Sequence, residues 1–492
     1  ICCTAFNGIV MELKNLSIRQ LNNLFIEKKA KPSELYSDIF DTSASSESLL
    51  HAHLTLFEEK NIENAKNSDK RFENNESTGV LDGIPIAIKD NINIKGELTT
   101  CSSKMLSNYR SPYNATVIEK LNNENVLYTG KTNLDEFAMG SSTENSAFGL
   151  TKNPWNTDYV PGGSSGGSAA SVSARSSIAA LGSDTGGSIR QPAAFCGLVG
   201  FKPTYGTVSR YGLIAFASSL DQIGPITKNV DDARIIYNAI SGHDNLDATS
   251  IDNNQINIPF DKSAKIGIIK ELMEDGISDE SRNEVSKVLE SLKKQGYKIK
   301  EVSLPLIKLS ISIYYLIAPA ECSANLARFD GVRYGLRVEG KTSYEMMQNT
   351  RAEGFGDEVK RRILLGTYAL SAGYYDEYYG KALRARKKMI DEFSNIFKDV
   401  DYLISPTTPT AAFKAGEKTS NPLEMYMSDL CTIPANLAGL PSISIPTGLT
   451  KENLPLGVQI MSKPLTDLSL LSFSEIIEKE VDFNTLPEGL EK

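Results

Sequence analysis

The stretch from Tyr159 to Gln191 reads YVPGGSSGGSAASVSARSSIAALGSDTGGSIRQ. Two glycine-serine knots, PGGSSGG and DTGGSIR, flank a run built mainly of alanine and serine. Glycine at this density lets the backbone take positive φ and approach a ligand closely. A flexible linker would share the composition. It would not place Asp184, Ile189 and Arg190 after an Ala-rich helical run. The pattern describes a helix over 166–175, a strand over 176–182, and two knots at neighbouring element ends. There backbone N–H groups converge and a serine hydroxyl is presented.

Upstream, LDGIPIAIKD (81–90) is a short apolar strand ending in Lys89. A lysine at a strand end is ordinarily a solvent anchor. Following directly on a buried run, it loses hydration, its pKa falls and it becomes a base. The chain has three histidines, His51, His53 and His243, and none neighbours a serine motif in sequence. A Ser-His-Asp triad is therefore disfavoured and lysine is the available activating base. HExxH and CxxC pairs are absent, which argues against a zinc hydrolase, a zinc ribbon or a redox motif, so no metal is expected.

Outward from this centre, Ser17 caps a helix carrying Ile18, Leu21, Leu24 and Phe25, and Lys31-Pro32-Ser33 ends it and starts another. A polar helical segment covers 55–75, helix then strand follow over 114–130, and 133–149 is a loop over the site. A helix capped near Asn229 ends at Gly242. KIGIIKEL (265–272), an amphipathic helix over 278–295 and YKIKEVSLP (297–305) give β-α-β order. Strands at 401–409, 441–449 and 456–463 precede a last helix over about 466–480. The expected fold is α/β: one large domain, 11–485, with a mixed sheet covered by helices on both faces and a helical insert at about 306–400 acting as a lid. Met11 opens a conventional helical start, so residues 1–10 are expected to be a non-native leader, an artefact or a targeting remnant. Cys2 and Cys3 raise the lesser alternative of an N-terminal cysteine nucleophile.

The motifs GGSSGGSAA (162–170) and GSDTGGSIRQPA (182–193), with GIPIAIKDNI (83–92) before them, resemble the amidase signature family in order and spacing. The resemblance implies that Ser188 is the nucleophile, Ser164 a proton relay entered by a cis Gly163–Ser164 bond, and Lys89 the terminal base. The N–H groups of Thr185, Gly186, Gly187 and Ser188 would receive the oxyanion. Ser164 and Ser165 could alternatively only cap the following helix. Asp184 is expected to hold the loop, and Arg190 to pair with a carboxylate or to sit in a surface ion pair.

Within the family, FGDEVKRRILLGTYALSAGYYDEYY (355–379), MYMSDL (425–430) and IYYLIAP (313–319) are similar to the glutamine-reading segments of tRNA-dependent amidotransferases. The resemblance implies Arg362 for the α-carboxylate, Asp429 for the α-ammonium and Tyr314 as a further contact. From the residues alone, Arg362 in the run Lys360-Arg361-Arg362 would be a solvated helix position. The implied role is the glutamine-hydrolysing member of a heterotrimer, with B and C subunits as partners. ATP and Mg²⁺ would be used by a partner, and this chain would bind no cofactor. A free-standing amidase of a small or fatty amide is the alternative, and a catalytically dead scaffold a third.

Composition agrees. With 52 basic and 61 acidic side chains the net charge is −9. That disfavours tight binding of a phosphate backbone, so tRNA would be contacted mainly through the B subunit. Six scattered cysteines fit a reducing cytoplasm, or an organelle in a eukaryote. No apolar run approaches the ~20 residues of a membrane span.

Overall fold

The computed structural model describes residues 3–6, 9–274 and 276–487. Of the expected leader, residues 1, 2, 7 and 8, and with them the Cys2 alternative, lie outside the described residues. Strands β1 (Cys3–Phe6) and β2 (Ile9–Glu12) form an antiparallel pair. The remaining strands are β3 (His53–Leu56), β4 (Pro85–Lys89), β5 (Leu127–Thr132), β6 (Ala179–Asp184), β7 (Val199–Lys202), β8 (Gln222–Thr227), β9 (Lys265–Ile269), β10 (Lys298–Val302), β11 (Tyr402–Pro406), β12 (Ser442–Leu449) and β13 (Pro455–Ser462). They make one eleven-stranded sheet in the order β10-β9-β11-β13-β12-β7-β8-β6-β4-β5-β3. The sheet is mixed: β4 runs parallel to both β5 and β6, whereas β8 runs antiparallel to β6 and β7.

Alternation of side chains puts a core on each face. On β4, Ile86 and Ile88 join one cluster and Ala87 another; on β6, Ala179 and Leu181 join the first and Ala180 the second. On β11, Tyr402 and Ile404 share the large cluster while Leu403 faces the helices of 310–400. Those helices are Ser310–Asn325, Ser343–Gly354, Asp357–Ala369 and Lys381–Ile396. Among the described residues of 306–400 there is no strand. Among the described residues no helix is long and apolar enough to cross a membrane.

The helix ends follow the capping chemistry of the sequence. Ser17 accepts from Gln20 N–H while the Gln20 side chain accepts from Ser17 N–H, starting the helix Ile18–Ile26. Asn229 accepts from Asp232 N–H and starts Val230–Ile240. Sequence reading missed β1, β2, β3, β7, β8 and the helix Arg190–Phe195. Met11, read as a helical start, lies in β2, and the first α-helix begins at Ile18. Strand β8 contains Gly224-Pro225, which reads locally as a turn. Its placement between β6 and β7 overrides that signal.

The small residues of 166–173 are explained by approach distance. This helix is buried along its whole length. A Cβ on Gly167 would lie 2.5 Å from the carbonyl oxygens of Ala52 and Asn133. Both are backbone atoms, so neither can swing aside. Gly167→Ala is expected to destabilise by about 1–3 kcal/mol through overpacking, measured as a lower midpoint in denaturant. An unchanged midpoint would show that the helix is not held at this distance.

Candidate active site

Because β4 and β6 are parallel neighbours, their carboxyl ends open at the same sheet edge. Lys89 ends β4 and Asp184 ends β6. The second knot, 185–188, follows β6, and the first knot leads into the helix Gly166–Ser173 that packs over both strands. Lys89 Nζ lies 2.8 Å from Ser164 Oγ, 3.0 Å from Ser183 Oγ and 3.3 Å from the Ser183 carbonyl. Asn91 Nδ2 donates to Ser183 Oγ at 2.9 Å. The lysine is fully buried, and burial brings its amine down to about 7 against the pull of Asp135, Asp184 and Asp221.

The Gly163–Ser164 bond is cis. Neither serine of the first knot caps the helix through its side chain. Ser164 turns to Lys89, and Ser165 Oγ donates to the Ser183 carbonyl at 3.2 Å. Ser188 sits close by, since Ser165 N–H donates to the Ser188 carbonyl at 3.2 Å. Its hydroxyl, at the edge of the site, forms no hydrogen bond to Ser164 or to any other described residue.

In the second knot, Gly187 N–H donates to Asp184 Oδ1 at 2.9 Å, so that donor is engaged. The N–H groups of Thr185, Gly186 and Ser188 have no acceptor among the described residues. Asp184 also accepts from Ile189 N–H and takes the Arg190 guanidinium in a fork, both bonds at 3.0 Å. Burial alone would raise this carboxyl, but Arg190 and Lys202 outweigh it and hold it at about 2. Arg190 is fully buried and donates further to Asn436, Gln459 and the Thr432 carbonyl, which decides between its two sequence readings.

A second pocket adjoins the knot. Tyr314 packs its ring against Gly186, 2.9 Å from where a Cβ would stand. Arg362 is 3% exposed, which removes it from the solvated face of its helix. Its Nε donates to Glu358 at 2.8 Å, and its guanidinium lies over the rings of Tyr315, Phe216 and Tyr426 at 5.1, 5.5 and 5.6 Å. Its terminal nitrogens donate to no described residue and remain a fork for a carboxylate. Asp429 accepts from Ser141 Oγ at 2.6 Å; burial pushes its carboxyl to about 7 although Ser141 and Arg362 draw it down. The ring contacts of Arg362 with Tyr315, next to Tyr314, and with Tyr426, three residues before Asp429, bring these segments together. Arg362 draws down both the Tyr314 hydroxyl and the Asp429 carboxyl, which burial raises.

Sequence reading missed Asp135, Ser141, Ser183, Gln191 and Asn436. Asp135 is fully buried, accepts from the N–H groups of Ser142, Thr143 and Asn145, and packs on Gly163. No periodic pattern marks it. The histidines stand elsewhere: His53 bonds Glu47 and His51 ends a helix. Among the described residues no group of three or more His, Cys, Asp or Glu is placed to hold a metal. Cys101, Cys196, Cys322 and Cys431 are buried and free.

Since the Lys89 amine titrates near 7 when folded and near 10.5 when unfolded, the unfolded chain binds the extra proton between those values. The lysine therefore penalises the folded state most below pH 7, and the penalty fades as pH rises. The stability of Lys89→Met relative to the parent should be greatest near pH 6 and decline toward pH 9. A pH-independent difference in denaturation midpoints would mean that the amine is charged in the fold.

Comparison with known proteins agrees with this geometry. The family model described as Amidase matches residues 34–471. The glutamyl-tRNA(Gln) amidotransferase A subunit of Halothermothrix orenii is 52% identical over 481 residues, spanning 96% of this chain and 99% of that protein. Its counterpart of the same name in Thermosynechococcus vestitus is 52% identical over 468 residues, 94% and 97% of the two chains. The crystal structure of the Thermotoga maritima A subunit superposes with a TM-score of 0.80 at 42% identity, covering 98% and 99%. The peptide amidase of Stenotrophomonas maltophilia shares the fold, with a TM-score of 0.81 at 24% identity over 97% and 99%. The chain belongs to the amidase family and, within it, to the glutamyl-tRNA(Gln) amidotransferase A subunits.

Proposed function

We propose that this chain hydrolyses glutamine and supplies the ammonia to a tRNA-dependent amidotransferase that converts Glu-tRNA(Gln) to Gln-tRNA(Gln). The observation that carries the reading is the juxtaposition of a buried lysine-serine pair with a buried cation and anion, the two charges a free amino acid requires. Arg362 receives the α-carboxylate, Asp429 the α-ammonium, and Tyr314 closes the side toward Gly186. The side-chain amide then faces Ser188.

Ser188 Oγ attacks the amide carbon, and its proton passes through Ser164 to the neutral Lys89 amine. The N–H groups of Thr185, Gly186 and Ser188 hold the oxyanion, with Gly187 fixed on Asp184 so that its neighbours point inward. On collapse the C–N bond breaks and the proton returns through Ser164 to the departing nitrogen, which leaves as ammonia. Water, deprotonated along the same route, cleaves the glutamyl ester. The balance is glutamine plus water to glutamate plus ammonia.

The relatives are named as A subunits of an amidotransferase, which supports placement in a multi-subunit complex; its partners in this reading are a B and a C subunit. Activation of Glu-tRNA(Gln), with its ATP and Mg²⁺, falls to a partner, and this chain carries no cofactor of its own. The net charge of −9 supports leaving most tRNA contact to the B subunit. The reaction belongs in the cytoplasm or an organelle.

Arg362→Leu decides between glutamine and a general amide. Losing a charge-assisted pair of about 1.5–3 kcal/mol should lower kcat/KM for glutamine by roughly ten- to a hundredfold. A simple aliphatic amide should lose far less. Equal losses on both would make Arg362 structural, and no loss on either would favour a free-standing amidase.

A further inference from the structure

Gln191 touches three loops that the mechanism treats separately. Its backbone N–H donates to the Gly187 carbonyl at 2.8 Å, on the second knot. Its side-chain Oε1 accepts from Gly163 N–H at 2.9 Å, on the first knot, one residue before Ser164. Its Nε2 donates to the Ser141 carbonyl at 2.7 Å, and the Ser141 hydroxyl donates to Asp429. Gln191 has no exposed surface and Ser141 almost none. The Gln191 amide is wedged against Gly162, where a Cβ would lie 2.4 Å from Oε1. An unbroken path of hydrogen bonds and backbone thus runs from Asp429 through Ser141 and Gln191 to Gly163 and Ser164, and on to Lys89.

We infer that Gln191, with Ser141, is a positioning residue that couples the amino-acid head-group pocket to the serine turn. An ammonium seated on Asp429 fixes the carboxylate that Ser141 holds, Ser141 fixes the Gln191 amide, and the amide sets where the Gly163–Ser164 backbone presents its hydroxyl to Lys89. A primary amide suits this place because it donates to one loop and accepts from another. Buried as it is, it leaves both loops unsatisfied when removed. Specificity then acts on kcat as well as on binding, because the correct head group completes the order of the relay. The inference rests on the glutamine reading above.

Gln191→Met keeps the length of the side chain and removes both of its bonds. In the full chain with its co-purifying subunits, it should lower kcat for glutamine about tenfold or more. Ser141→Ala should lower kcat/KM for glutamine at least several-fold more than for butyramide, and part of that loss should lie in kcat. A double-mutant cycle on glutamine should be non-additive, because both changes cut one path; on butyramide the coupling should shrink. Multiplicative losses on glutamine, or a Ser141→Ala effect confined to KM, would overturn the inference. If Gln191→Met does not fold, the kcat–KM split of Ser141→Ala decides alone. A parent complex that cleaves butyramide but not glutamine would sink the glutamine reading, and the coupling with it. The Gln191→Met effect on butyramide would then still establish or refute Gln191 as a support of the serine turn.

Discussion

An amine sealed from water at the end of β4 is the constraint around which this structure is arranged. Lys89 has no exposed surface, and an isolated ammonium there would forfeit its hydration. The fold makes the neutral amine the favoured form above pH 7 and surrounds it with hydroxyls, from Ser164 and Ser183, rather than a contacting carboxylate. Asp135, Asp184 and Asp221 act on it only at a distance and keep its proton affinity useful. Without that balance the amine would be either permanently charged or too weak a base.

The small residues around it follow from the same constraint. For Ser164 to reach the amine, the helix Gly166–Ser173 lies close on the sheet, over Ala87 and Ala180, where larger side chains would hold it off. Carboxylates divide into two kinds. Asp184 is pinned by Arg190 and stays ionised, which makes it a fixed strut for the second knot. Asp429 has one hydroxyl donor and a proton affinity raised toward neutrality, which leaves it in need of a cation. Arg362 is the complementary case: stacked among aromatic rings, with Glu358 on Nε and its fork open.

The centre of this account was legible in the sequence because its signals are local. Glycine knots, a strand running into Lys89, and capping residues such as Ser17 and Asn229 carry their meaning within a few positions. The helix-sheet order from 265 to 305 was readable for the same reason. What escaped was set by contacts across the chain. Arg190 meets Asn436 and Gln459, 246 and 269 residues away, and no spacing rule announces them. Asp135 and Gln191 act through side-chain hydrogen bonds to the backbone of loops, which leave no period. Strand β8 was hidden because Gly224-Pro225 imitates a turn, and only its neighbours in the sheet make it extended. Arg362 shows the reverse: from its basic run it belongs in solvent, and only resemblance to a family drew it inward.

The central claim is that Ser188 carries the acyl group while Lys89 and Ser164 handle its proton. Rapid acid quench of the full complex turning over glutamine, followed by tryptic peptide mass spectrometry, tests it directly. Cleavage after Arg175 separates the two serines, leaving Ser164 on one peptide and Ser188 on the next. A glutamyl ester on the Ser188 peptide, absent from the Lys89→Met complex, is the predicted result. An ester on the Ser164 peptide, or undiminished ester formation without Lys89, would contradict the account.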